Sequence, residues 1–240
     1  MNYQNNINTY ADLTAYNADL NKEYPNISYI KGTDEVKWYK YDPDHIVAVY
    51  NVTSTESATM LLNSKSNITY QIIDGVQQSS VVTSYQFSTT GEHIVKYALT
   101  NNTYLYDGIF SNCSSLTSVT IPVGVITIKN QVFNRCSGLT SVTIPNSVTT
   151  FEVAVFQRAG LTSITFPSSV TTFGEALFQN CSSLTSVTIE ATTPPTFGNN
   201  MFNNINPSPN IYVPAESVNA YKTASGWSGY ASRIQAIPTT

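Results

Sequence analysis

Few residues of this 240-residue chain have the chemistry of a catalyst. Its two histidines, His45 and His93, lie in no HExxH or GxSxG pattern, and no glycine-rich phosphate loop is present. Asp42, Asp44 and His45 form the one tight polar cluster. It reads either as a weak oxygen-ligand cation site or, more simply, as an Asp-Pro-Asp turn between two elements. The carboxylates of the repeats, Asp107, Glu152, Glu175 and Glu190, include no recognisable acid/base pair. Cys113, Cys136 and Cys181 recur at one position that also accepts Ala159, which argues for small buried groups rather than reactive thiolates. A Cys113–Cys136 disulfide is geometrically conceivable, whereas a zinc site is disfavoured because the thiolates fall in a row rather than converging on a tetrahedron. No catalytic, cofactor or metal site is therefore expected, and the chain reads as a non-enzyme.

What remains is a surface. Ser118-x-Thr120, Ser141-x-Thr143, Ser163-x-Thr165 and Ser186-x-Thr188 would align on neighbouring strands as a flat grid of hydroxyls. Its spacings would be roughly 6.7 Å along each strand and 4.8 Å between strands. Such a grid can hydrogen-bond a glycan or a protein, can match an ice lattice, or can simply keep a β-rich surface soluble. Arg135 and Arg158 lie one repeat apart and would stack as a small basic spot suited to an acidic ligand. Tyr39, Tyr41, Tyr104 and Tyr106 are candidates for exposed aromatic contact area.

The elements that position these residues are repeats. Leu116-Thr-Ser-Val-Thr-Ile121-Pro122 recurs from Leu139, Leu161 and Leu184, with the leucines 23, 22 and 23 residues apart. Between them Phe110-Ser-Asn-Cys113 recurs from Phe133, Phe156 and Phe178, and a degenerate copy ends at Phe202. Each unit offers a short strand, a proline that stops it, a second extended piece and a turn carrying Phe. No unit can bury those groups alone, so stacking is expected to give ladders of Leu, Val/Ile and Phe in one elongated core, a solenoid. The third unit, with Arg158-Ala159-Gly160, is shorter by one residue, as a loop deletion would leave it.

These motifs resemble the BspA-like, or Treponema pallidum type, leucine-rich repeats over about residues 100–213. The segment Asn210-Ile-Tyr-Val-Pro214, a helix over 215–224 and aromatic residues from Trp227 to Tyr230 resemble the family's C-terminal cap over 214–240. The resemblance implies a leucine-rich-repeat solenoid and a role in adhesion, since its members are surface proteins that bind host or matrix proteins.

Residues 9–21 read as a helix, with Thr9 as cap, Leu13, Tyr16 and Leu20 on one face and Pro25 as stop. A hairpin follows that carries Tyr29, Trp38 and Tyr41. These pieces bury little by themselves, so residues 1–45 are expected to attach to a partner through those six apolar and aromatic side chains. Residues 46–99 contain five strand-like runs, Ile46–Val52, Thr59–Leu62, Ile68–Ile73, Val81–Phe87 and His93–Leu99, which suggest a small antiparallel, sandwich-like β domain. The fold class is thus mainly β: an N-terminal helix and hairpin, the small β domain, then the capped solenoid. The first 45 residues also resemble N-terminal segments of structural proteins of tailed phages of gut bacteria.

Eleven basic against fifteen acidic residues leave no cationic surplus for nucleic acid or an anionic membrane. Only 11% of the chain is charged, and Thr, Ser and Asn make up about a third of it. No secretory signal is expected from the first residues. The expectation is a non-catalytic virion component, a phage fibre or capsid-decoration protein, with residues 1–45 on virion structural proteins and the solenoid facing host-surface glycan or protein. Its location would be the virion surface, and a homo-oligomer would fit. The alternatives are a bacterial cell-surface adhesin, a glycan-active enzyme and a purely architectural protein.

Overall fold

Apolar residues build the first strands of the computed structural model, which describes residues 42, 44–205 and 207–238; they are buried at consecutive positions in the first strand and mainly at alternate positions in the longer strands that follow it. The expected helix and hairpin, with Leu13, Tyr16, Leu20, Tyr29, Trp38, Tyr39 and Tyr41, lie outside the described residues. Strands β1 (His45–Val52), β2 (Thr59–Met60), β3 (Ile68–Ile73), β4 (Val76–Gln77), β5 (Ser84–Tyr85) and β6 (Gly91–Leu99) follow one another. The expected run over 81–87 shrinks to β5 because its backbone bonds elsewhere. The Val82 amide donates to the Gln71 side chain at 3.0 Å, and the Thr83 carbonyl accepts the Leu61 amide at 2.8 Å. Ile46, Ala48 and Tyr50 of β1 meet Tyr97, Val95 and His93 of β6 in antiparallel register on the core face.

Ten further strands alternate along the repeats: β7 (Tyr104–Leu105), β8 (Leu116–Thr120), β9 (Thr127–Ile128), β10 (Ser141–Thr143), β11 (Thr150–Phe151), β12 (Ser163–Phe166), β13 (Thr172–Phe173), β14 (Ser186–Ile189), β15 (Asn210–Val213) and β16 (Ile234–Ala236). Equivalent strands of successive units pair in parallel. The longer ones carry Leu-Thr-Ser-Val-Thr, and the shorter ones form the four-stranded sheet β13-β11-β9-β7. Under them Phe110, Phe133, Phe156, Phe178 and Phe202 stack one per unit, with ring centroids 5.6, 5.5, 5.6 and 5.8 Å apart. Each buried phenylalanine removes enough apolar area from water to stabilise by roughly 2–3 kcal/mol. The spine therefore holds the repeats, which carry no ion pair among the described residues.

The strands expected to form a separate sandwich-like domain instead share a sheet with the repeats, in the order β10-β8-β1-β6-β3-β4. Strand β8 opens the series of long strands and would present unpaired N–H and C=O groups on its outer side, which β1 takes up in antiparallel pairing. The one-residue deletion also leaves a mark. Strands β8 and β10 pair, β12 pairs with β14, and β10 and β12 fall in different sheets. Across that gap Gly160 donates its amide to Cys136 O at 3.1 Å. A Cβ on Gly160 would sit 2.1 Å from Ser137 O, so only glycine lets the shortened turn close this tightly.

At the far end, β15 leads through a 3₁₀ turn (Ala215–Ser217) into helix α1 (Val218–Thr223), a second 3₁₀ segment (Trp227–Arg233) and β16. Trp227 is buried against Phe173, Phe197 and Tyr221, and its Nε1 donates to Pro195 O at 2.7 Å. Tyr230 closes edge-on over Phe202, the last ring of the stack, at 5.2 Å. Without these aromatics the end of the apolar ladder would face water.

Candidate binding surface

The Ser and Thr residues picked out by spacing do fall in register. Ser118 lies opposite Ser141 and Thr120 opposite Thr143; Ser163 pairs with Ser186 and Thr165 with Thr188. The second block continues into Asn210 and Tyr212, so the grid is two patches rather than one plane. Among the described residues none of these eight hydroxyls is engaged inside the protein, whereas three of the four threonines just before these serines behave differently. Thr117 Oγ1 donates to Val49 O at 3.1 Å, Thr140 to Thr117 O at 3.2 Å and Thr185 to Thr162 O at 3.0 Å. In those three pairs one hydroxyl ties neighbouring strands together and the next has no partner among the described residues.

Arg135 and Arg158 are both exposed and both sit at positive φ, 58° and 59°, in the turn after the spine phenylalanine. Asn112, Asn180 and Asn204 occupy the equivalent place, at 65°, 63° and 60°. Asparagine visits this left-handed region readily and arginine does so at some cost. The two guanidinium groups thus lie on the turns rather than on the hydroxyl-bearing strands, as like charges on adjacent coils. Beside them, a ladder of amides runs from Asn134 Nδ2 to Gln157 Oε1 at 2.9 Å and from Gln157 Nε2 to Gln179 Oε1.

The remaining candidates have structural partners. Cys113, Cys136 and Cys181 are free and buried, and burial pushes the Cys113 and Cys181 thiols up to about 12. Cys136 and Cys181 donate to the Phe110 and Phe156 carbonyls at 3.0 and 2.8 Å, which explains a weak donor at this position. Asp42 is hydrogen-bonded to His45 Nδ1 at 2.8 Å and to Lys96 Nζ at 2.9 Å, and His45 Nε2 lies 2.8 Å from Tyr70 OH. Burial acts to raise the Asp42 pKa, but these two bonds and the nearby positive charge outweigh it and hold the carboxyl well below the usual range. The Asp44 amide donates to Asp42 Oδ1 at 3.2 Å, so the cluster is a turn that anchors β1. His93 bridges Asp74 Oδ2 at 2.7 Å and the Thr89 carbonyl at 3.0 Å, bracing the β3–β6 connection. Asp107 accepts from the Asn130 amide and side chain, each at 2.9 Å. Among the described residues no group of three His, Cys, Asp or Glu is placed to hold a metal.

Sequence reasoning missed the group at the start of the short-strand sheet. Tyr104 and Tyr106 are half-buried, their rings 5.5 Å apart and edge to face, and Lys129 Nζ lies 4.8 and 5.4 Å from the two centroids. The signal was present in the 23-residue offset from Tyr106 to Lys129, had the period been applied to every position rather than to the conspicuous motifs.

The chain belongs to the BspA type leucine rich repeat family, whose model matches residues 103–224 in six copies. It is similar to a leucine-rich repeat protein from Bacteroides ovatus, 26% identical over 46% of this chain and 28% of that one, TM-score 0.42. A leucine rich cell surface protein from Faecalibacterium prausnitzii is 34% identical over 38% and 24%, TM-score 0.33. The pneumococcal vaccine antigen PcpA is 19% identical over 56% and 37%, TM-score 0.40. The chain thus spans between 24% and 37% of the length of these structures. No curated protein matches it. The family match begins at residue 103, and nothing in these comparisons supports the phage-like reading of residues 1–45.

Proposed function

We propose that this chain is a non-catalytic binding protein of the adhesin type, displayed at a cell surface, whose repeats form a solenoid that engages a protein partner. The observation that carries this reading is the division of labour among hydroxyls. Thr117, Thr140 and Thr185 bond the backbone of the neighbouring strand, while Ser118, Thr120, Ser141, Thr143, Ser163, Thr165, Ser186 and Thr188 have no partner among the described residues. Small hydroxyls on rigid strands can donate and accept with little side-chain entropy to lose, which suits a polar protein interface. Arg135 and Arg158, stacked like charges, favour a partner with carboxylates. Adhesion is also what the family resemblance implies, and it displaces the virion role, for which the family match gives no support.

The test is binding of the full chain to a panel of purified extracellular-matrix proteins, compared with a Ser141→Lys, Thr165→Lys variant. Saturable binding to one of them, lost at least about ten-fold in the variant at unchanged Tm, is the expected result. Binding that ignores both substitutions would move the partner to another face.

A further inference from the structure

The short-strand sheet carries side chains that this function leaves unused. Its outward positions form two rows. The first is Tyr104, Thr127, Thr150 and Thr172, in register across β7, β9, β11 and β13. Two residues further along each strand, beyond the inward Leu105, Ile128, Phe151 and Phe173, comes the second: Tyr106, Lys129, Glu152 and Gly174. The register persists there, because the amides of Lys129, Glu152 and Gly174 donate to Leu105, Ile128 and Phe151 at 3.1, 2.9 and 2.7 Å.

Lys129 rests its ammonium on the two tyrosine rings and makes no ion pair with Glu152 one strand away. Neither charged group hydrogen-bonds another described residue through its side chain. Gly174 keeps the next place bare, since a Cβ there would fall 2.5 Å from the Glu152 backbone. The result is a partly exposed strip of three strand spacings, about 14 Å long. Aromatic rings lie at one end, then an ammonium donor, a carboxylate acceptor and a row of hydroxyls.

We propose that Tyr104, Tyr106, Lys129 and Glu152 form a platform for a neutral saccharide chain, separate from the protein-binding strands. Tyrosine offers a rigid amphipathic face for the apolar C–H side of a sugar ring. A donor beside an acceptor suits vicinal hydroxyls, which both give and take hydrogen bonds. Charge selects the neutral class: Lys129 is offset by Glu152, and Asp107 and Glu175 flank the same rows, so a polyanionic glycan meets no positive field.

Isothermal titration of the full chain with maltohexaose, cellohexaose and mannohexaose, and with tetragalacturonate as the acidic counterpart, tests the assignment. Saturable binding of at least one neutral hexasaccharide is expected, weakened about ten-fold or more by Tyr106→Ala and by Lys129→Gln and unaffected by Thr188→Ala on the long-strand side. Should Tyr106→Ala fail to fold, Lys129→Gln and Glu152→Gln leave the ring pair intact and carry the comparison. The assignment is overturned if no neutral probe saturates, if both of those variants bind as the parent does, or if tetragalacturonate binds more tightly than every neutral probe.

Discussion

Residues 42–99 and the stacked repeats solve the same problem, how to hold short strands together, with different chemistry. All three close contacts of a carboxylate with a basic side chain among the described residues, Asp42–His45, Asp42–Lys96 and Asp74–His93, lie in the first region. So does the buried hydroxyl network in which Tyr50 OH donates to Leu61 O at 2.6 Å and meets Tyr97 OH at 2.8 Å. Antiparallel strands bring unlike residues together, so a carboxylate can be set against an ammonium. A parallel repeat sets each residue against its own equivalent about 5 Å away, where a charge meets a like charge. Groups that both donate and accept escape this conflict, as Asn204 does in donating to Asn180 Oδ1 at 3.0 Å and Thr185 to Thr162 O. The sparse charge of the repeats is thus a consequence of translation symmetry.

The contrast can be broken at its strongest point. Phe156 is fully buried and stacked between Phe133 and Phe178, so Phe156→Ala should cost about 3–5 kcal/mol in urea unfolding. A loss under 1 kcal/mol, on the order of a surface substitution, would mean that the spine is not what holds the repeats.

Next comes acid. The depressed Asp42 pKa means that the unfolded chain takes up the proton first as pH falls. The contribution is therefore complete above about pH 5 and drains away below it, amounting to roughly 2 kcal/mol at neutral pH. Urea unfolding of Asp42→Asn and parent should differ by that amount at pH 7 and converge in acid. A constant gap would show that Asp42 does not set the pH response of the first region.

A finer test lies within one strand. Thr140→Val should cost about 1 kcal/mol by removing a bond to the neighbouring coil, while Ser141→Ala should be near neutral. Equal costs would erase the distinction between the two hydroxyl ranks. Smallest in energy is a serine inserted between Ala159 and Gly160, which restores the 23-residue period. It should join β10 to β12 and slow amide hydrogen exchange over residues 163–166 while changing global stability by no more than about 0.5 kcal/mol.

Much of the repeat architecture was legible because translation turns a sequence offset into a spatial neighbour. The offsets of Phe110, Phe133, Phe156 and Phe178 are the ring stack, and the serine and threonine offsets are the register of the strands. Pairing of β1 with β8 was not legible, since residues 47–50 and 116–120 share no motif and meet only because an open edge needs a partner. That the Ser118 and Thr120 hydroxyls find no partner among the described residues was equally hidden. Strand spacing says where a hydroxyl points, and only the neighbouring coil's carbonyl decides whether it is engaged. Lys129 over its tyrosines shows the opposite case, a readable offset between residues of unlike type.

The shortened third unit has a consequence for how the chain finds its structure. Near-identical units could stack one place out of step and bury almost the same groups, a competitor that uniform repeats do nothing to exclude. A slip by one unit would bring the shortened turn of the 22-residue unit, with Ala159 and Gly160, against a neighbour shaped for a longer one, and would leave Trp227 and Tyr230 over the wrong ring. The gap between β10 and β12 weakens one ladder locally, and in return it numbers the coils, giving the folding chain a single place from which to count.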